Sequence, residues 1–89
     1  MKLKEKDKKI RQFVINLLER KKSIPKKEKR NINEFRYLDY GQIDSLELIT
    51  FITSIERKFR FKFSAKELSS IQFRVFSGLI KYIIKKNNL

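Results

Sequence analysis

Between Ser45 and Phe59 the apolar residues are Leu46, Leu48, Ile49, Phe51, Ile52, Ile55 and Phe59. Spacings of three and four belong to an α-helix with one broad buried face. Thr50, Thr53, Ser54, Glu56, Arg57 and Lys58 are left for the outside. Asp44 precedes the run, and a carboxylate there can accept from backbone N–H groups of the first turn. Capping by Asp44 puts Ser45 at the first helical position, with its hydroxyl at the exposed, partly positive end. Gly41 tolerates positive φ and suits the turn just before. A helix over 45–59 with so wide an apolar face must bury it against other elements.

Those elements are also helical. Ile10, Phe13, Val14, Leu17 and Leu18 keep the same phase, giving a helix over about 3–22. The cations at 20–22 suit the negative end of its dipole. Residues 23–43 form a long loop with Ser23, Pro25, Asn31 and Asn33, and its apolar residues argue that it packs across the bundle. Residues 60–63 alternate as a short extended link. Ser64 with Glu67 three residues on is a capping-box pattern for a short helix over 65–70. Ile71 and Phe73 are expected to pack. A last helix runs over about 74–86, burying Val75, Phe76, Leu79, Ile80 and Ile83. Gly78 inside it points to close approach by another helix, since glycine there costs about 1 kcal/mol relative to alanine. The expected fold is all-α: one domain over 1–89, a small four-helix bundle with three main helices and one short one.

Composition limits the chemistry. The chain has 89 residues with no Cys and no His. Disulfides, thiolate nucleophiles and histidine-dependent metal or serine-triad sites are therefore excluded within it. A general base for neutral pH is hard to find, and no GxSxG elbow surrounds Ser45. The expectation is not an enzyme. No apolar stretch follows MKLKEKDKK as a secretory signal requires, and no apolar run is long enough to span a bilayer. The expected location is the cytoplasm.

Charge is unevenly spread. Net charge is +13, with 14 Lys/Arg against five Asp/Glu in residues 1–36 and nine against five in 37–89. From Tyr37 to Glu56 there is no Lys or Arg, while Asp39, Asp44, Glu47 and Glu56 form an acidic island. The basic half could bind nucleic acid or an anionic surface, but basic runs alone are weak indicators and usually mark a solvated face.

The stretch IDSLELITFITSIERKF resembles the attachment-site motif and second helix of the acyl carrier protein family, and FRVFSGLIKYI is similar to the start of that family's last helix. The resemblance covers roughly 35–84, and the long first connection fits it. It implies an acyl-carrier type of bundle in which Ser45 accepts 4′-phosphopantetheine from coenzyme A through a separate phosphopantetheinyl transferase. The arm would hold acyl or aminoacyl groups as thioesters for loading and transferring enzymes, in lipid or secondary-metabolite biosynthesis, with the carrier acting as a monomer. Asp44 would cap the helix and help the transferase hold its metal. Leu46 and Ile49 would offer apolar contacts to partners, with Glu47 and Glu56 as docking acids. Of the helix's apolar residues, only Leu46 is expected to stay surface-facing.

The chain also departs from that family. Fatty-acid carriers are acidic throughout, whereas here the second helix ends in Arg57, Lys58 and Arg60. Gly41 stands three residues before Asp44, as in aminoacyl and dedicated-pathway carriers, and Val75-Phe76 replaces a common Thr-Val pair. The alternative is a basic helical module that binds nucleic acid or another protein. Nucleic acid is disfavoured as a partner, because that reading gives no reason for the acidic island and places the aromatics at core phases.

Overall fold

Helix α1 spans Glu5–Leu18 because Ile10, Val14 and Leu18, four residues apart, all turn to one side and are buried. The computed structural model describes residues 5–87; positions 3 and 4 of the expected first helix lie outside the described residues. The helix stops at Leu18 and does not run to 22. Its end is held by side chains from elsewhere: Gln42 Nε2 donates to the carbonyls of Leu18 and Lys22 at 2.9 and 2.8 Å. Glu19 accepts the Ile24 N–H at 2.9 Å, and Ile24 is buried just beyond the turn. The cations at 20–22 therefore stand after the helix, not in its last turn.

The segment expected to be a loop over 23–43 is mostly ordered into short helical pieces. Helix α2 (Lys26–Arg30) follows Pro25 and buries none of its residues. A 3-10 turn over Ile32–Glu34 leads to Phe35, which is buried and accepts the Phe76 N–H at 2.9 Å. Helix α3 (Tyr37–Tyr40) then carries Tyr37 into the core. The tyrosine hydroxyl donates to the Phe73 carbonyl. Periodicity could not reveal these pieces, because each is a single turn or little more.

Helix α4 spans Ser45–Phe59 and buries Phe51 and Ile55, with Leu48, Ile52 and Phe59 half-buried beside them. The Phe59 ring meets Phe13 of α1 edge-on, centroids 5.5 Å apart. The chain leaves α4 through Arg60, which adopts the left-handed region with φ of 56°, a conformation glycine takes at lower cost. Phe63 is buried and Phe61 half-buried along the extended link. Helix α5 (Ala65–Leu68) is shorter than the expected 65–70 but starts on the expected capping box: Glu67 N–H donates to Ser64 Oγ, and Ser64 N–H donates to Glu67 Oε1.

A second 3-10 turn, Gln72–Arg74, precedes helix α6 (Phe76–Asn87). The last helix therefore starts two residues later than 74, and Val75 is half-buried between the two elements. Phe73 is buried as expected, whereas Ile71 is 71% exposed. Phe76, Leu79, Ile80 and Ile83 bury the inner face of α6, which packs on α1 and on both 3-10 turns. Gly78 marks a close approach, but the neighbour is the backbone of Gln72 in the turn and not another helix.

Six helices, three long and three short, thus make a small bundle with no strand among the described residues. The Cα radius of gyration, 12.4 Å, matches the roughly 12 Å of a packed chain this long. No helix among the described residues is long and apolar enough to cross a membrane.

Two substitutions should move stability in opposite directions, against simple helix propensity. Gly78→Ala drives a methyl into the Gln72 carbonyl and should destabilise by about 2 kcal/mol despite alanine's better propensity. Arg60→Gly relieves the left-handed residue and should stabilise by about 1 kcal/mol. Urea unfolding followed by circular dichroism measures both. A Gly78→Ala protein as stable as the parent would contradict the close approach.

Candidate functional site

The site begins at the turn before α4. Helix α3 ends on Gly41, whose φ of 85° is the left-handed conformation that glycine adopts freely. Gly41 N–H donates to the Leu38 carbonyl, and Gln42 N–H to the Tyr37 carbonyl. The reversal points Gln42 and Ile43 inward, and both are buried. Because the Gln42 amide holds the carbonyls after α1, one side chain fixes the end of α1 relative to the start of α4. Its Oε1 has no hydrogen-bond partner among the described residues.

Asp44 follows in extended conformation and caps α4, and Ser45 is the first helical residue and exposed. The cap is reciprocal. Glu47 N–H donates to Asp44 Oδ1 at 2.7 Å, and Asp44 N–H donates to Glu47 Oε1 at 2.7 Å. Such a box satisfies two orphan N–H groups and gives the helix start one defined geometry. Lys21 Nζ reaches the other Glu47 oxygen at 2.9 Å. The Asp44 N–H, then Lys21, hold the Glu47 carboxyl below its ordinary range, while the hydrogen bond to Glu47 raises the Lys21 ammonium.

Tertiary structure largely cancels the acidic island. Asp39 accepts from Arg74 at 2.8 Å, with Arg36 3.8 Å away. Glu47 is paired with Lys21. Glu56 uses Oε2 to accept the Phe63 N–H at 2.9 Å, which fixes the link after α4. Asp44 is committed to the cap. The four acids are thus tied to neighbours and do not stand together as one free acidic surface.

One apolar member of the site is more exposed than the sequence implied. Leu46 is 77% exposed, as expected, but Ile49 is also 64% exposed, not packed in the core. The physical reason is phase: three residues after Leu46, Ile49 shares its outward side, while Phe51 and Ile55 take the inward one. Between α1 and α4 lies a groove of about 280 Å³. Leu17, Arg20 and Lys21 line one wall, and Leu46, Glu47, Thr50 and Ser54 line the other. The arrangement presents a primary hydroxyl at a rigid helix start, beside an apolar step and a groove with a basic lip. Among the described residues no cluster of acidic, His or Cys side chains could hold a metal ion.

Two contributors escape a reading of the sequence, Gln42 and Lys21, whereas Tyr37 packs as expected of the apolar residues of 23–43. Gln42 lies between a turn glycine and an apolar residue, outside any helical phase. Lys21 is 26 positions from Glu47 and is one lysine among many, so no local signal pairs them.

The Glu47 carboxyl should titrate below the ordinary glutamate range in a carbon-13 NMR titration. Lys21→Ala should raise its midpoint without restoring it fully, because the Asp44 N–H remains. A lowered folded-state pKa means the contribution to stability is present above the ordinary value and fades as pH falls through the lowered one. An unchanged midpoint in Lys21→Ala would show that the pair does not form in solution. No family model matches the chain, and no curated protein or solved structure matches it either.

Proposed function

We propose that the chain is a carrier protein that holds acyl or aminoacyl groups on a 4′-phosphopantetheine arm attached to Ser45. One observation carries the reading. The serine of the Asp44-Ser45-Leu46 sequence is exposed at the first position of a 15-residue helix whose start is locked by a capping box. The residues suit the group. A phosphodiester on Ser45 would lie at the positive end of α4, and Lys21 adds a cation close by through its bond to Glu47. When bound, the arm supplies a thiol, which this Cys-free chain lacks.

The chain's own residues then attach and present. Asp44 fixes the backbone from which Ser45 projects, and Glu47 completes that lock. Gly41 and Gln42 aim the turn, and Leu46 and Ile49 offer an apolar step to an approaching enzyme. With no His and no Cys, the protein itself is not an enzyme in this reading. A transferase makes the attachment, and loading enzymes supply the cargo. A tether confined to one small body raises the effective concentration of cargo at each enzyme visited.

The second reading, a basic module binding nucleic acid, is favoured by one observation. Helix α2 is Lys-Lys-Glu-Lys-Arg with no buried residue, and such a surface gives steeply salt-dependent binding.

Incubation with coenzyme A and a broad-specificity phosphopantetheinyl transferase, followed by intact-mass measurement, tests the proposal. The wild-type chain should gain one arm and Ser45→Ala none. Failure of the wild type with several transferases, or equal gain by Ser45→Ala, rejects it.

A further inference from the structure

The exposed face of α4 does not end at the apolar step. At 100° per residue, Ile49, Thr50, Thr53 and Arg57 all fall within about 60° of Leu46, and Arg60 is the left-handed residue that ends the helix. They form one stripe that passes from apolar through hydroxyl to cationic. At its far end lies an open cleft of about 480 Å³ lined by Thr53, Glu56, Arg57, Arg60, Phe61 and Lys62. The one acid in it, Glu56, spends Oε2 on the Phe63 N–H. None of Arg57, Arg60 and Lys62 has an acid within ion-pair distance, which is true of most cations among the described residues; what sets these three apart is that they line one cleft.

Helix electrostatics accounts for only part of this cluster. A cation at 57 suits the negative end of α4, but Arg60 and Lys62 lie beyond the helix. Arg60 also occupies a left-handed position that glycine would fill at lower cost. Phe61, half-buried, forms an apolar wall, and the Lys86 ammonium sits 5.9 Å from its ring centroid.

We propose that this cleft, with the stripe leading to it, is a docking surface for an acidic segment of a partner protein. Charge and surface chemistry select that class. Arginines beside exposed aliphatic anchors, with hydroxyls between, have the mixed character of a protein–protein contact. A continuous phosphodiester strand laid along the stripe would meet no cation on it between Leu46 and Thr53, only aliphatic side chains and hydroxyls. The fitting partner places carboxylates about 17 Å along the helix axis from the contact with Leu46, the rise of the eleven residues from Leu46 to Arg57. Relative to the proposed function, this inference names the charge of the partner's docking face: acidic, not basic. The binding itself does not require an arm on Ser45.

The test uses the unmodified full chain and a fluorescein-labelled octaglutamate peptide as probe, read by anisotropy at low ionic strength, with nitrogen-15 shift mapping on the wild type. Shifts should centre on residues 57–62. Replacing Arg57→Gln, Arg60→Gly and Lys62→Gln together should weaken binding about tenfold. A control with the same charge loss on α2, Lys26→Gln, Lys27→Gln and Arg30→Gln, should stay within about twofold. Equal weakening in both variants would reduce the effect to net charge and overturn the proposal. So would shifts centred on α1 or α2, or tighter binding of a twelve-nucleotide oligothymidylate to the same cleft. Shift mapping on the wild type keeps the proposal falsifiable even if the triple variant is less stable. Ser45→Ala should bind the peptide like the wild type, so a carrier reading that fails by mass and a cleft that fails by binding are separate results.

Discussion

Tyr37 is fully buried, with its ring against Phe51 of α4 and Phe73 of the second 3-10 turn, centroids 5.5 and 6.4 Å away. Its hydroxyl donates to the Phe73 carbonyl, a bond that no smaller core side chain could reach across to make. Burial pushes the phenol far above its ordinary pKa, so it stays a neutral donor across any physiological pH. A buried carbonyl without a donor costs about 1–3 kcal/mol, so this one bond both satisfies the turn and pins α3 to it. Arg74, reaching Asp39 at 2.8 Å, joins the same two elements from the outside.

The residues after Tyr37 inherit that placement. Gly41 reverses the backbone, Gln42 ties down the end of α1, and Asp44 starts α4. The candidate serine is therefore exposed at a defined place because the residues before it are buried and bonded. Loops that carry function on a rigid support commonly work this way. Here the support is made from the segment with the weakest periodicity in the sequence.

Charge is rearranged by the fold in a similar way. Along the chain, residues 37–56 read as an acidic island in a basic protein. In space, Lys21 and Arg74 arrive from distant positions to neutralise it, and Glu56 turns to a backbone N–H. Arg57, Arg60 and Lys62, which keep no acidic partner among the described residues, gather instead at the C-terminal end of α4. A helix that looks acidic at its start and basic at its end in sequence thus keeps its unpaired charge mainly at the basic end.

The three long helices, their inward faces and the capping residues Asp44 and Ser64 were legible from the sequence. Each rests on residues three or four apart, and a one-dimensional pattern contains such spacings. Residues 45–59 and the exposure of Ser45 and Leu46 belong to that group. Contacts between distant positions decided the rest. Gln42 ended α1 at Leu18, a nearby carbonyl required glycine at 78, the core turned Ile49 and Ile71 outward, and Tyr37, expected to pack, found the Phe73 carbonyl for its hydroxyl. Helical phase specifies which residues share a side; only the packed chain specifies which side is covered and which cation finds which carboxylate.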